Sequence, residues 1–110
     1  MAKDHRVFIG HMRDTAEKIT VKLAGKSRQD YDADENLRLA LAYLVQIIGE
    51  AARRVEESFR DAHPEIPWRQ IIGMRHFIVH NYMNVDEDRL WDTVMMDVPK
   101  LIIMLDALPP

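Results

Sequence analysis

The chain has 110 residues, 47% of them hydrophobic and 30% charged, a net charge of −3 and no cysteine. That length supports one hydrophobic core and not two, and the composition is too apolar for a disordered chain. The missing cysteines exclude disulfides, thiolate nucleophiles and cysteine-ligated metal, and the net charge argues against indiscriminate nucleic-acid binding while leaving room for a local basic cleft.

In chain order, Phe8, Met12, Ala16, Ile19 and Leu23 recur every three or four residues and predict a first helix over about residues 4–23, closed by Gly25. The polar stretch 28–34 predicts a turn or a short extra helical turn. A second, longest helix is expected from about Ala33 to Asp61. Leu37, Leu41, Leu44, Ile48, Ala51, Val55 and Phe59 run along it without interruption, with Asp34 as N-cap. A second row, Ala40, Val45, Ile47 and Ala52, widens its apolar face enough to meet neighbours on two sides, either two helices of this chain or one of this chain and one of a second subunit. Gly49 in mid-helix costs about 1 kcal/mol against alanine and marks a close approach of another backbone. Glu50 stands beside it at the edge of the crowded face.

The segment His63-Pro64-Glu65-Ile66-Pro67 is the clearest break, and Pro67 suits the first turn of a third helix. Residues 81–85 predict a loop. Asp86 caps a last helix in which Trp91, Val94, Val98, Leu101, Leu105 and Leu108 keep helical spacing, and Pro99 should kink or split it near Asp97. Trp68 and Trp91 are expected in the core. The expected fold is all-α, an antiparallel bundle of four to five helices forming a single domain over residues 1–110. Neither a signal peptide nor a bilayer-spanning run is evident, so a cytoplasmic protein with no membrane association is the default expectation.

The densest chemistry lies in Arg75-His76-Phe77-Ile78-Val79-His80-Asn81-Tyr82. On a straight helix advancing about 100° per residue, Trp68, Ile71, Ile72, Ile78 and Val79 fall within about 60° of Arg75, and Tyr82 within about 20°. Arg75 then sits mid-stripe on an apolar face. An unpaired guanidinium is costly to bury, so either Arg75 is paired or the stripe lines a cleft or a subunit interface. Glu50 is a candidate partner for Arg75, or for orienting a histidine, although a solvated edge residue is as good a reading of it.

Histidine moves protons near neutral pH, and the planar fork of arginine matches two phosphate oxygens. One of each is the minimum for cleaving RNA without a metal or a cofactor. The histidine handles the proton of the 2′-hydroxyl or of the leaving oxygen, and the arginine stabilises charge building on phosphorus. On a straight helix Arg75 and His80 stand about 140° apart, so either the helix loosens before His80 or two subunits pair to share one cleft. His76 and His80, four apart, have the spacing of a metal pair, but no third ligand has an obvious position, and no metal site is expected. Arg53, Arg54 and Arg69 read as solvated face or as the lining of a basic cleft.

The spacing Arg75-x4-His80-x-Tyr82 resembles the R-x4-H-x-Y signature of the HEPN superfamily, in its HepT toxin branch. Ile47-Ile48-Gly49-Glu50-Ala51-Ala52 is similar to that family's IIGEA stretch, and residues 63–75 are similar to its HPEIPW-x-x-IIG-x-R segment. The tail from Val85-Asp86 through Leu90-Trp91 to Asp97-Val98-Pro99-Lys100-Leu101 is also similar, so the resemblance covers essentially the whole chain. Two departures are His76, where asparagine is frequent, and Asn81, where glycine is frequent; the second bears on loop geometry. The resemblance implies a HEPN-fold homodimer with its two motifs juxtaposed in a cleft. It implies a metal-independent endoribonuclease toxin with Arg75 and His80 in catalysis; His76, Asn81 and Glu50 are candidate supporting residues by their own chemistry and position, not by the resemblance. It also implies a nucleotidyltransferase antitoxin of the MNT type that transfers AMP from ATP to Tyr82. The alternative is a non-catalytic HEPN-like module that binds a nucleotide or a nucleotidyltransferase through the same helix.

Overall fold

The computed structural model describes residues 4–76 and 86–109. Helix α1 (His5–Leu23) starts at Asp4, whose side chain accepts from the Arg6 N–H, and buries Phe8, Met12, Ala16, Ile19 and Leu23. Gly25, with φ 74°, follows its end, in the left-handed region that glycine enters without a Cβ penalty. The polar stretch beyond folds into a short helix, α2 (Arg28–Ala33), through a capping box: Ser27 Oγ accepts from the Asp30 N–H, and Asp30 Oδ2 accepts from the Ser27 N–H at 2.9 Å. Tyr31 is fully buried here, a core residue that its polar neighbours conceal in the sequence.

Helix α3 (Glu35–Arg54) is capped by Asp34, which accepts from the Leu37 N–H at 3.0 Å. It buries Leu41, Val45, Ile48, Ala51 and Ala52, and packs on α1 and α2 and on the segment after Pro67. The predicted continuation to Asp61 does not hold. The chain leaves the helix at Val55 (ψ 134°), and a separate α4 (Glu57–Ala62) follows. The break drives Val55 into the core at 1% exposure and leaves its carbonyl outside any helix, where Arg60 Nε donates to it at 3.1 Å. Burial of Val55 and capture of its carbonyl thus favour an angled second helix over one straight rod.

Phe59 of α4 stacks on His5 with ring centroids 4.0 Å apart and meets Trp68 edge-on at 6.3 Å. Helix α5 (Trp68–Gly73) buries Trp68 and Ile71, and the Trp68 indole donates to the His63 carbonyl at 3.0 Å. It tightens at once into a 3₁₀ turn, Met74–His76. Asp86 caps α6 (Glu87–Asp92), accepting from the Arg89 N–H at 3.1 Å. A wide π turn, Thr93–Asp97, joins it to α7 (Val98–Asp106). This is the disruption Pro99 demanded: it lacks an N–H and its ring crowds the carbonyl four residues back, so the ladder widens there. Trp68 is buried, and Trp91 is half-buried against the same core.

The described residues contain no strand, and the fold is all-α. α1, α3 and the α6–α7 rod form the long elements around one hydrophobic core. None of the described helices is long and apolar enough to cross a membrane. Two ion pairs tie α6 to the α2–α3 corner: Arg38 Nε to Glu87 Oε2 and Arg28 Nη2 to Asp88 Oδ1, both 2.8 Å. They fix where the chain resumes after residue 85.

Candidate functional site

Gly49 is where the site begins. A Cβ built on it would lie 2.5 Å from the Arg75 backbone nitrogen, 3.0 Å from the Ile71 carbonyl oxygen and 3.2 Å from the Arg75 Cα. All three are main-chain atoms, so the 3₁₀ turn rests directly on the α3 backbone. The glycine read from the sequence as a point of close approach is that point, and what approaches is Arg75 itself.

Glu50 follows on the same helix and gathers three guanidiniums. Arg53 Nη2 donates to its Oε1 at 2.6 Å, Arg54 Nε lies 3.5 Å from the same oxygen, and Arg75 Nη1 lies 3.6 Å from Oε2. The Arg53 guanidinium hydrogen-bonded to it, with Arg54 beyond, holds the Glu50 carboxyl down at about 2. Arg75 is therefore paired, as an arginine near an apolar face requires, but at ion-pair distance and not in a tight fork. Its side chain is 33% exposed, and its Nε is buried without a hydrogen-bond partner among the described residues. The guanidinium is held by its backbone and only partly satisfied, a suitable state for a group that must take a further acceptor.

The helical-wheel placement of Arg75 needs correction. The α-helix ends at Gly73, so a 100° step does not apply from Met74 onward, and Arg75 stands on a tighter 3₁₀ turn. The angles expected from Arg75 to Ile78, Val79, His80 and Tyr82 fall on residues outside those described. His76 is exposed on the same turn. His80, Asn81 and Tyr82 lie outside the described residues. Of the candidate residues, the structure thus brings Arg75 and Glu50 together and adds Arg53 and Arg54, which from the sequence read more readily as solvated face than as a ligand site.

A groove of about 1020 Å³ adjoins this turn, and Arg75, His76 and Glu50 are not among its described lining residues. Arg69, Arg89 and Lys100 line it, but so do Asp86, Asp88, Asp92 and Asp97, a mixture with little attraction for a polyanion.

A family model described as "Ribonuclease HepT-like" matches residues 12–108. The chain belongs to the HepT-like family. Within it, the chain is 33% identical over 101 residues to "Probable ribonuclease HepT" of Thermococcus cleftensis, covering 92% of each protein. It is 31% identical over 99 residues to "Putative RNase TTE0752" of Caldanaerobacter subterraneus subsp. tengcongensis, covering 90% of this chain and 88% of the relative. No solved structure matches it significantly. Membership in the HepT-like family accords with the all-α fold, and its match spans both α3 and the Arg75 turn.

Glu50→Gln tests how much Glu50 contributes to the fold. Folding depresses the carboxyl from its ordinary 4.5 to about 2, so whatever stability it contributes is present above pH 4.5 and is lost as pH falls toward 2. At 39% exposure that contribution is small, because solvent screens it. The variant should therefore unfold in urea close to the wild-type midpoint at pH 7. A large fall in that midpoint would show that Glu50 holds more of the fold than its exposure allows.

Proposed function

We propose that this protein is a metal-independent endoribonuclease and the toxin of a toxin–antitoxin pair. The observation that carries the reading is the Arg75 guanidinium, seated by main-chain contact on Gly49, anchored loosely on Glu50 and still short of an acceptor. Membership in the HepT-like family and relatives bearing ribonuclease names support it. Arg75 binds the scissile phosphate. The substrate's 2′-hydroxyl attacks phosphorus and the bond to the 5′-oxygen breaks, leaving a cyclic phosphate and a free 5′-hydroxyl. His80 takes the nucleophile's proton or supplies one to the leaving oxygen. His76 and Asn81 support that site.

The active unit is a homodimer with its two motifs in one cleft. In its support, α3 carries Leu39 and Tyr43, 60% and 63% exposed, on a face that this chain's described helices leave uncovered. Ile47 and Glu50 continue the same row at helical spacing, so a second copy on this face would reach the Glu50 cluster. The antitoxin is an MNT-type nucleotidyltransferase that transfers AMP from ATP to the Tyr82 hydroxyl: the phenolic oxygen bonds to the α-phosphorus, the α–β anhydride bond breaks and pyrophosphate leaves. The added phosphodiester places bulk and negative charge two residues from His80, where it competes with the RNA phosphate.

Purified protein in excess EDTA should cleave RNA to products with cyclic phosphate ends. Co-expression with a nucleotidyltransferase of the MNT type should add the mass of one AMP group, absent from Tyr82→Phe, and silence cleavage. A protein that binds nucleotide or nucleotidyltransferase yet cleaves no RNA under any condition is instead a non-catalytic module.

A further inference from the structure

Three guanidiniums around one carboxylate leave two positive charges unmatched, and Glu50 is the only described ion-pair partner of Arg53, Arg54 and Arg75. No acidic side chain elsewhere in the chain is left to fill the deficit from outside the described residues, because residues 1–3, 77–85 and 110 contain neither aspartate nor glutamate. In a chain of net charge −3, this is a local reversal of sign placed at the one residue that meets the scissile phosphate on the reading above. Arg53 and Arg54 stay accessible, with side chains 44% and 56% exposed, whereas Arg75 is more enclosed at 33%. An arginine carries five donors in a fixed fork, and binding Glu50 uses only some of them. The cluster therefore has both unspent charge and unspent donors.

We propose that Arg53 and Arg54 form a second phosphate subsite, which holds the backbone phosphate next to the scissile one in a single-stranded RNA. Arg75, the innermost of the three, takes the reacting phosphate, and the outer pair takes its neighbour. Glu50 keeps the three guanidiniums from splaying apart under their mutual repulsion and leaves a net charge suited to a polyanion. The subsite rests on the ribonuclease reading for its ligand, but its own test is a binding measurement that needs no turnover.

The probe is a fluorescent single-stranded oligoribonucleotide with 2′-O-methyl residues, which cannot be cleaved, titrated with the full chain over a series of salt concentrations. Replacing both arginines, Arg53→Gln with Arg54→Gln, should weaken binding by about tenfold at low salt. It should also flatten the slope of log K against log salt by about 0.7 to 1.4, the loss of one to two phosphate contacts. Arg53→Lys with Arg54→Lys should keep the wild-type slope, and Lys18→Gln with Lys22→Gln, two charges on the outer face of α1, should leave it unchanged. An unchanged slope in the glutamine variant, an equal fall in the α1 control, or a wild-type protein that does not bind the probe would each overturn the subsite. Salt-dependent binding lost in the glutamine variant while unmodified RNA goes uncut would uphold the subsite and defeat the nuclease reading.

Discussion

Alanine at Arg75 is expected to slow RNA cleavage by about 10²- to 10³-fold, and alanine at His80 by about 10²- to 10⁴-fold. The first range is the usual cost of removing one group aimed at charge that develops in the transition state, and the second that of removing a general acid or base. Single-turnover cleavage of a labelled oligoribonucleotide in EDTA measures both, with sedimentation to follow the oligomer. Loss of structure should not contaminate the Arg75 result. Its side chain is a third exposed, and Glu50 keeps Arg53 and Arg54 when Arg75 is gone. Arg75→Lys retains charge but not the two-pronged fork and should recover only part of the rate. Full activity in both alanine variants would end the nuclease proposal.

Adding one methyl group at Gly49 is expected to damage the site more than the fold. The new Cβ would sit 2.5 Å from the Arg75 nitrogen and 3.0 Å from the Ile71 oxygen, neither of which can rotate out of the way. The α5–3₁₀ segment must then back off α3. Overpacking of this kind costs about 1–3 kcal/mol. The helix itself gains roughly 1 kcal/mol when glycine becomes alanine, which offsets part of the loss. A modest net destabilisation follows, while displacing Arg75 by about 1 Å should cost near 10²-fold in rate. Gly10 supplies the control, because it lies within α1 and an added Cβ there meets nothing within 4 Å. Gly10→Ala should raise the urea midpoint where Gly49→Ala lowers it. If both glycines respond with the same sign, the main-chain contact is not what positions the arginine.

The parts of this fold that the sequence revealed are those written in short-range chemistry. Asp34 and Asp86 cap the helices they precede, Gly25 takes the positive φ that ends α1, and Pro99 disturbs its helix just upstream. Each depends on atoms within a few residues. What escaped depends on distant partners. Nothing local distinguishes Val55 from the other apolar positions of its row; the break there reflects the core it enters and the arginine that takes its carbonyl. Tyr31 looked like part of a polar turn because its burial is supplied by Trp91, sixty residues on, 5.1 Å away ring to ring. At the site, Gly49 and Glu50 were legible as a close approach and a candidate ion pair. Arg53 and Arg54 stand three and four residues after Glu50 on one helix, so their pairing with it is short-range chemistry; only the arrival of Arg75 at the same carboxylate needed the tertiary fold.

The wide turn at Thr93–Asp97 has a consequence for how the halves of the last rod are phased. A single π turn holds one residue more than the α turn it replaces, so it acts as a rotational offset between α6 and α7. Removing one residue there would let the ladder close as regular α-helix and swing α6 by about 100° about the rod axis. Glu87 and Asp88 would turn away from Arg38 and Arg28, while Leu101 and Leu105 kept their seats in the core. The azimuth at which the chain re-enters after residue 85 is thus set by a count of residues in the C-terminal rod.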